Sequence, residues 1–502
     1  MASIGSARML IIFAAIVSLP ALGQSARPNV RWDGLALKPT FVLAAADTGG
    51  SGDGSTAAAA DQDKKTSQPP TEPPAADNFF GIRGSTGLFG GSDPSSSLGQ
   101  QAATAGYELR GSGGDAASYP GSAMPLTGAG RGAAIVFDNG IYLYPSLFAG
   151  IGHNDNLLSG PATAALVSSS VLNLVPGVVA EMKTHGDRYT LSYLGNYSRY
   201  ASSSIDDYDH HDLFLAGDNT FTNRTHLGWK VGYLNNSDPR GATDRPSLPG
   251  AGPDLWHSSN VSGTFAYGAA QATGRLELET SLQDKRYLTN RLYTASSDAD
   301  IAMVSGRFFY RVMPKTSLVF EVRNTHYYYI QDTLSNDNTE RRYYVGVTWQ
   351  ATAATSGTFK VGRLNTDFTA VNHADYSGAS WEGGIRWSPL TYSTVDFTTS
   401  KSTANTTSAG SGSYVLNTST NVMWNHKWAS YIASRVSLGL LTSDYVGANR
   451  KDDTKTYGLG FFHDLNRRLR AGFDWTLTDR SSVQNIYEFK RNVVMFSLEG
   501  TL

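Results

Sequence analysis

The chain has 502 residues, no cysteine and a formal net charge of −2. The lack of cysteine excludes disulfide frameworks, cysteine-ligated zinc sites and catalytic thiols, and the near-neutral charge gives no basis for nucleic-acid binding. Charged residues make up 17% and hydrophobic residues 40% of the sequence, both below the values usual for a soluble domain.

The first segment, residues 1–23, has the pattern of a cleaved secretory signal peptide. Arg8 supplies a positive charge, and the apolar stretch from Met9 to Leu19 follows it. This stretch is shorter than the ~20 apolar residues that a membrane-spanning helix needs. Small residues at positions 21 and 23 offer a cleavage site before Gln24. We therefore predict an exported protein, with an uncleaved anchor helix as the alternative.

Residues 24–132 form a leader dominated by Gly, Ser, Ala and Pro. Such a segment cannot bury enough apolar surface to offset the entropy lost on ordering. We predict that it is a disordered, periplasmic linker.

From residue 133 to residue 502, apolar and polar side chains alternate. Around Arg275, for example, Leu276 and Leu278 alternate with Glu277 and Glu279. A helix would scatter these charges around its circumference, whereas a strand puts them all on one face. The alternation therefore predicts a domain built of β-strands.

The predicted strands are long, and the connections between them alternate between short and long. Short turns are predicted near His185-Gly186, Thr222-Asn223, Ala270-Gln271, Met313-Pro314, Ala354-Thr355, Pro389-Leu390, Lys427-Trp428 and Asn466-Arg467. Longer loops are predicted at Asn156–Ser168, Ala201–Asp207, Asn235–His257, Arg286–Ser297, Gln331–Asp337, Ala370–Tyr376, Ser402–Ser411, Tyr445–Lys451 and Asp479–Ile486. This pattern is typical of a transmembrane antiparallel up-and-down β-barrel. At ~20 residues per strand and connection we expect about 18 strands, with 16 or 20 as alternatives. A soluble array of β-sandwiches is the rival architecture.

In such a barrel one face of each strand meets lipid and the other faces the lumen. Tryptophans at apolar positions suit the aromatic girdles at the membrane interfaces: Trp229, Trp349, Trp387, Trp424 and Trp475. The opposite face carries the candidate lumen residues Lys230, Arg275, Glu277, Glu279, Lys285, Arg307, Arg311, Glu321, Arg323, Arg342, Lys360, Glu382, Arg386, Asp396, Arg435, Arg470, Asp474, Arg491 and Glu499. Together these residues predict a conduit for something hydrophilic. For each one taken singly, a wall residue that pairs across strands is the favoured interpretation.

The last strand has Phe496 and Leu498 in alternation with Ser497 and Glu499. It resembles the C-terminal signal that the barrel-assembly machinery recognises, although Leu502 stands where an aromatic residue is usual. We therefore expect outer-membrane lipid and that machinery as partners.

The opening strand carries Pro145-Ser146-Leu147 and runs into Asn154-Asp155-Asn156. This resembles the start of the β-barrel porin type 2 family, and the segments 175–179 and 189–193 resemble its next strands. The resemblance covers about residues 132–502. It implies a barrel that passes exopolysaccharide across the outer membrane, with a periplasmic polysaccharide-export protein and the inner-membrane synthesis machinery as partners. A general diffusion porin and a plugged structural or adhesive barrel are the alternatives.

No HExxH, GxSxG, Walker A or Cys/His metal pattern is found, so we expect neither an enzyme nor a cofactor. A weak candidate for a cation site is the acidic cluster Asp206, Asp207, Asp209 and Asp212, predicted in and beside a loop. A solvated loop tip is the simpler interpretation. Within Tyr327-Tyr328-Tyr329, either Tyr328 or its two neighbours can point into the lumen and stack on sugar rings.

Overall fold

The computed structural model describes residues 134–138, 140–184, 186–241, 244–245, 250–269, 272–349, 355–371 and 373–501. The predicted signal, residues 1–23, and the predicted leader, residues 24–132, lie outside these ranges. So do residue 133, with which the barrel domain is expected to begin, and the predicted turn residues His185, Ala270, Gln271 and Ala354.

The described chain is almost entirely strand. A two-residue strand comes first, and the strands that follow it contain 12 to 16 residues each. The strands are β1 (Ile135–Val136), β2 (Ile141–Asn154), β3 (Ser169–Thr184), β4 (Asp187–Tyr200), β5 (Tyr208–Thr222), β6 (Thr225–Asp238), β7 (Asp254–Tyr267), β8 (Gly274–Tyr287), β9 (Ala299–Met313), β10 (Thr316–Tyr329), β11 (Asn338–Trp349), β12 (Thr355–Phe368), β13 (Tyr376–Leu390), β14 (Ser393–Asn405), β15 (Tyr414–Ala429), β16 (Ile432–Val446), β17 (Arg450–Asp464), β18 (Leu469–Ser482) and β19 (Phe489–Thr501).

Helical turns occur only between strands in this part of the chain. They are the 3-10 helices Ser204–Asp206, Ala295–Ser297 and Asn485–Tyr487 and the single-turn helix α1 (Arg291–Thr294). Across the described ranges, no helix has the length and apolar character needed to span a membrane.

Strands β2 to β19 close on themselves to form the barrel. Each strand pairs antiparallel with its neighbours in sequence, and β19 pairs with β2 from Val493↔Asn154 to Thr501↔Ser146. The predicted fold, a closed antiparallel barrel of eighteen strands, is therefore confirmed. Strand β1 pairs with β2 at residues 142 and 143, just beyond the end of β19, and so covers the edge of β2 that β19 leaves free.

The connections alternate between short and long as predicted, except at 447–449, and this defines a short-turn end and a long-loop end of the barrel. Because the strand number is even, β2 starts and β19 finishes at the short-turn end. Several predicted bounds were wrong. The turns placed at Pro389-Leu390 and Lys427-Trp428 lie at 391–392 and 430–431, and the loops placed at Asn235–His257 and Tyr445–Lys451 shrink to 239–253 and 447–449. The ladders continue past the apolar band, where both faces are polar and alternation no longer marks a strand.

The two faces of the wall differ sharply in exposure. On β8 the side chains of Leu276 and Leu278 are half exposed, whereas Glu277 between them is 3% exposed. The same contrast repeats on the other strands, so a continuous apolar surface surrounds the barrel. A soluble monomer rarely exposes such a surface, but lipid covers it without cost, and the closed ladder satisfies the backbone there.

The tryptophans predicted for the girdles occupy outward positions. Trp349, Trp387 and Trp424 lie near the short-turn end of their strands, where a girdle is expected. Trp475 lies at the middle of β18 and is therefore part of the apolar band instead.

Candidate functional site

The candidate site is the inner wall of the barrel. Glu382 on β13 accepts a hydrogen bond from Nη1 of Arg323 on β10, with 3.0 Å between the atoms. Strands three positions apart in a sheet are separated by ~14 Å, so long side chains from them meet only on the concave face. This contact therefore identifies the inward face of both strands, and alternation extends the assignment along each of them.

Glu382 is the centre of an ion-pair network. Its carboxylate also accepts hydrogen bonds from Nη1 of Arg342 at 2.9 Å and from Nζ of Lys360 at 2.7 Å. Lys360 and Arg323 in turn share Glu321, at 2.7 and 2.5 Å. All of these groups are at least nine-tenths buried. Each cation is thus held by a carboxylate, which offsets the cost of removing both charges from water.

The network continues onto β8 and β9. Arg307 pairs with Glu279 and, at 3.2 Å, with Glu277, which also holds Arg275 at 3.1 Å. We call the whole set the ionic belt: Arg275, Glu277, Glu279, Arg307, Glu321, Arg323, Glu340, Arg342, Lys360 and Glu382. Its basic and acidic members are equal in number. The belt therefore stiffens a third of the wall while adding no net charge to the lumen.

Lys285 lies outside the belt, in a separate buried pocket. Its Nζ is 4.4 Å from the ring centre of Trp256 and 4.7 Å from that of Tyr287. Asp238 accepts hydrogen bonds from both rings, through Nε1 of Trp256 at 2.9 Å and the hydroxyl of Tyr287 at 2.8 Å. The cation, its counter-charge and the two rings thus form one closed unit of the wall.

The other predicted lumen residues occupy inward positions of their strands. Arg386 pairs with Asp396 and Arg470 with Asp464, at 2.6 and 2.7 Å, both near the short-turn end. Lys230 lies 4.0 Å from the ring centre of Phe214, and Asp474 is buried. The remaining members of this set are Arg311, Arg435, Arg491 and Glu499. These residues do not join the ionic belt.

One long loop reaches across the lumen. The loop 239–253 joins β6 to β7, and its Asp244 accepts hydrogen bonds from the backbone N–H and hydroxyl of Thr407, beyond β14. Nη1 of Arg450, on β17, donates to the carbonyl of Asp244 at 2.6 Å. These partners lie nearly half-way around the barrel from β6. The loop therefore narrows the lumen at the long-loop end.

The acidic cluster does not converge on a cation site. Asp206 pairs with Arg240 at 2.7 Å, whereas Asp209 and Asp212 lie within β5 on opposite faces of the wall. Asp207 accepts the backbone N–H of Tyr200. Of the residues that the structure describes, no three His, Cys, Asp or Glu side chains are grouped so as to hold a metal ion.

The exposure of the three consecutive tyrosines, residues 327–329, shows which of them face inward. Tyr328 is 50% exposed on the outer face, whereas Tyr327 and Tyr329 are buried on the inner face. The hydroxyl of Tyr329 accepts a hydrogen bond from Asn405 of β14 at 2.8 Å. Tyr329 thus packs within the wall.

Sequence reasoning missed several inward charged residues. Asp238, Arg450 and Asp452 belong to strands but fell inside or next to predicted loops. Glu340 is two residues before Arg342 and shares its face, so alternation was sufficient to find it. Arg480, two residues before the end of β18, was assigned to a loop for the same reason as Arg450.

Comparison with known proteins agrees with this architecture. The family model described as Putative beta-barrel porin 2 matches residues 140–501, which include all of strands β2 to β19. None of the curated proteins compared with the chain matches it.

Solved structures to which the chain is similar include OccAB3 of Acinetobacter baumannii, with TM-score 0.41 and 12% identity over 72% of this chain and 99% of that one. A BenF-like porin from Pseudomonas fluorescens Pf-5 gives TM-score 0.41 and 12% identity, again over 72% and 99%. A structure described as a bacterial polysaccharide outer membrane secretin gives TM-score 0.31 and 11% identity, over 71% and 98%.

The apolar outer surface, the closed ladder and the family match together describe a porin-like barrel of the outer membrane. The chain belongs to the Putative beta-barrel porin 2 family.

Proposed function

We propose that the protein is a passive outer-membrane pore through which an exopolysaccharide leaves the cell. The observation that carries the proposal is the closed ring of eighteen strands with a polar inner face. A barrel of this size is wide enough to enclose water, unlike an eight-stranded barrel that its own side chains fill. Transport then depends on lumen width and wall charge, and no catalytic step is required.

The neutral ionic belt supports a sugar polymer as cargo. A polysaccharide presents hydroxyl groups along its whole length, which exchange hydrogen bonds with a polar wall. Since the belt charges compensate one another, this part of the wall has little net field to repel or retain a charged solute. The family resemblance gives the direction of transport and the expected partner, a periplasmic polysaccharide-export protein. That partner would meet the short-turn end, where the polypeptide preceding β2 enters the barrel.

Deletion of the gene in its own host tests the proposal. We expect surface polysaccharide to fall and periplasmic polymer to accumulate, with recovery on complementation by the full chain. Purified barrel in planar bilayers should also show steady conductance. Conductance with unchanged secretion would contradict export, and absence of conductance would point to a plugged structural or adhesive barrel.

A general diffusion porin for small hydrophilic solutes is the second candidate, and the loop anchored by Asp244 favours it. A narrowed long-loop end admits small solutes more readily than a polymer. We predict that Asp244→Ala, which removes the carboxylate contacts with Thr407, raises single-channel conductance. If small-sugar uptake rises in parallel while secretion is unaffected, the diffusion-porin function is favoured over export.

A further inference from the structure

The inner wall formed by β18 and β19 carries two arginines that differ from those of the ionic belt. Arg480 is 3% exposed, and only its Nε has a hydrogen-bond partner among the described residues, Oγ1 of Thr454 at 3.2 Å. No carboxylate in those residues forms an ion pair with Arg480. Arg491 donates from Nη1 to the hydroxyl of Ser159 at 2.9 Å and to the carbonyl of Arg240 at 3.3 Å, again without an acidic partner.

The acidic groups of this region are engaged elsewhere. Asp452 receives Nε and Nη2 of Arg450, at 3.1 and 2.5 Å, and the hydroxyl of Ser482 at 2.6 Å. Asp155, on the other side, accepts the backbone N–H and the side-chain amide of Asn492, at 2.6 and 2.7 Å. Asn492 is neutral and leaves the charge of Asp155 in place, so Arg450, Arg480 and Arg491 face two aspartates, and one positive charge of this group stays uncompensated.

The ring of Phe489 contacts both arginines. Its ring centre lies 4.9 Å from Cζ of Arg480 and 5.6 Å from Cζ of Arg491, and it is the cross-strand partner of Arg480. A cation–π contact is weaker than the cost of removing a guanidinium from water, so the ring alone does not offset the burial of these charges. An anion placed between them would.

We propose that Arg480 and Arg491 form a binding site for the carboxylate of a uronic acid in the transported sugar. A planar guanidinium fork matches the two oxygens of a carboxylate, which favours arginine over lysine at such a site. The inference rests on the proposed function and adds the class of substrate, an acidic polysaccharide.

Calorimetric titration of the full, detergent-solubilised barrel tests the proposed binding site without requiring a functioning pore. We expect sodium galacturonate to bind, and galactose, which lacks the carboxylate, not to bind. Arg480→Gln and Arg491→Gln should each weaken galacturonate binding about tenfold, the usual worth of a hydrogen bond to a charged group. Arg341→Gln, which removes an arginine from the outer face, should leave binding unchanged.

Lack of galacturonate binding by the wild-type barrel would overturn the proposal, as would equal binding of galactose. Equally tight binding of inorganic sulfate would also overturn it, because the site would then recognise an anion without the sugar. Heat-modifiable migration in gels verifies that each variant is folded. If Arg480→Gln fails to fold, Arg491→Gln alone decides the outcome. If the wild-type barrel binds galacturonate but shows no conductance, the proposed pore function is contradicted and the proposed binding site is not.

Discussion

The contribution of a charged inner-wall residue to stability depends on the ion pairs that it makes and on how deeply they are buried. Glu382 is 4% exposed and touches three cations, whereas the pair Arg341–Asp367 on the outer face is about half exposed at both side chains. Burial decides which pair matters for stability. An exposed pair contributes ~0–1 kcal/mol, but removal of one member of a buried network leaves charges that cannot return to water.

We predict that Glu382→Gln lowers the free energy of unfolding by about 3–5 kcal/mol, because Arg323, Arg342 and Lys360 lose their shared carboxylate. Urea unfolding of the barrel reconstituted in vesicles measures the loss. Asp367→Asn is the matched control, with an expected change below ~1 kcal/mol. Equal effects of the two substitutions would show that burial of the belt does not raise its contribution to stability.

On the outer face, adding a charge is expected to be harmful, whereas on the inner face it is the loss of a charge. We predict that Leu278→Arg impairs insertion, since an arginine facing lipid near mid-membrane costs about 2–4 kcal/mol. Glu277→Ala, one residue away on the inner face, should insert normally and shift ion selectivity toward anions, because one negative charge is removed from the ionic belt. The heat-modifiable fraction in outer-membrane preparations measures insertion. Insertion of Leu278→Arg together with failure of Glu277→Ala would reverse our assignment of the faces.

At the scale of strands, aromatic side chains complete the wall where glycine leaves a gap. The indole of Trp229 on β6 lies over its cross-strand partner Gly217 on β5, and its Nε1 donates to Asn219 at 3.0 Å. A Cβ at position 217 would be 2.5 Å from the indole. Gly306 on β9 also faces outward, but nothing lies within 4 Å of the Cβ position there.

We therefore expect Gly217→Ala to destabilise the barrel by about 1–3 kcal/mol, because the indole must move and lose its hydrogen bond. Gly306→Ala should be neutral or slightly stabilising, since a side chain favours the strand more than glycine does. Thermal midpoints of heat-modifiability compare the two variants. A larger loss of stability for Gly306→Ala than for Gly217→Ala would mean that the indole of Trp229 does not lie over Gly217.

The strands also show what the sequence could predict. Alternation around Leu276 and Glu277 located the strand and its two faces, because the side-chain period of a strand is fixed by backbone geometry. It did not locate the strand ends, where Arg450 and Asp452 continue a ladder outside the apolar band. Nor could it pair Glu382 with Arg323, since that contact depends on how strongly three intervening steps of the sheet curve.

The crossing of the lumen by Asp244 was equally out of reach of sequence reasoning. Its partners Thr407 and Arg450 are distant in the chain, and a loop carries no periodic pattern to indicate where it folds. The excess positive charge beside Arg480 and Arg491 became visible only once the partners of Asp452 and Asp155 were known.

At the scale of the whole molecule, strand parity fixes which connections share one side of the membrane. The loops 201–207 and 330–337 lie at the long-loop end, and the turn 314–315 lies at the other. Long loops of outer-membrane barrels face the cell exterior. Because the natural chain has no cysteine, a single introduced cysteine reports its own location without background.

We predict that Thr333→Cys reacts with a membrane-impermeant maleimide on intact cells, whereas Lys315→Cys reacts only after the outer membrane is permeabilised. Both positions are exposed, so access to the reagent and not burial decides the labelling. Labelling of Lys315→Cys on intact cells, with Thr333→Cys protected, would invert the orientation.

The pairing of the first long strand with the last has a consequence for biosynthesis. Until β19 is available, β2 lacks a neighbour along most of one edge, and a nascent or truncated polypeptide presents two open rims of unsatisfied backbone groups. A premature stop codon anywhere upstream of residue 489 should therefore yield a product that cells degrade, and not a narrower channel. Only a chain that includes β19 can therefore close the barrel and remain stable in the membrane.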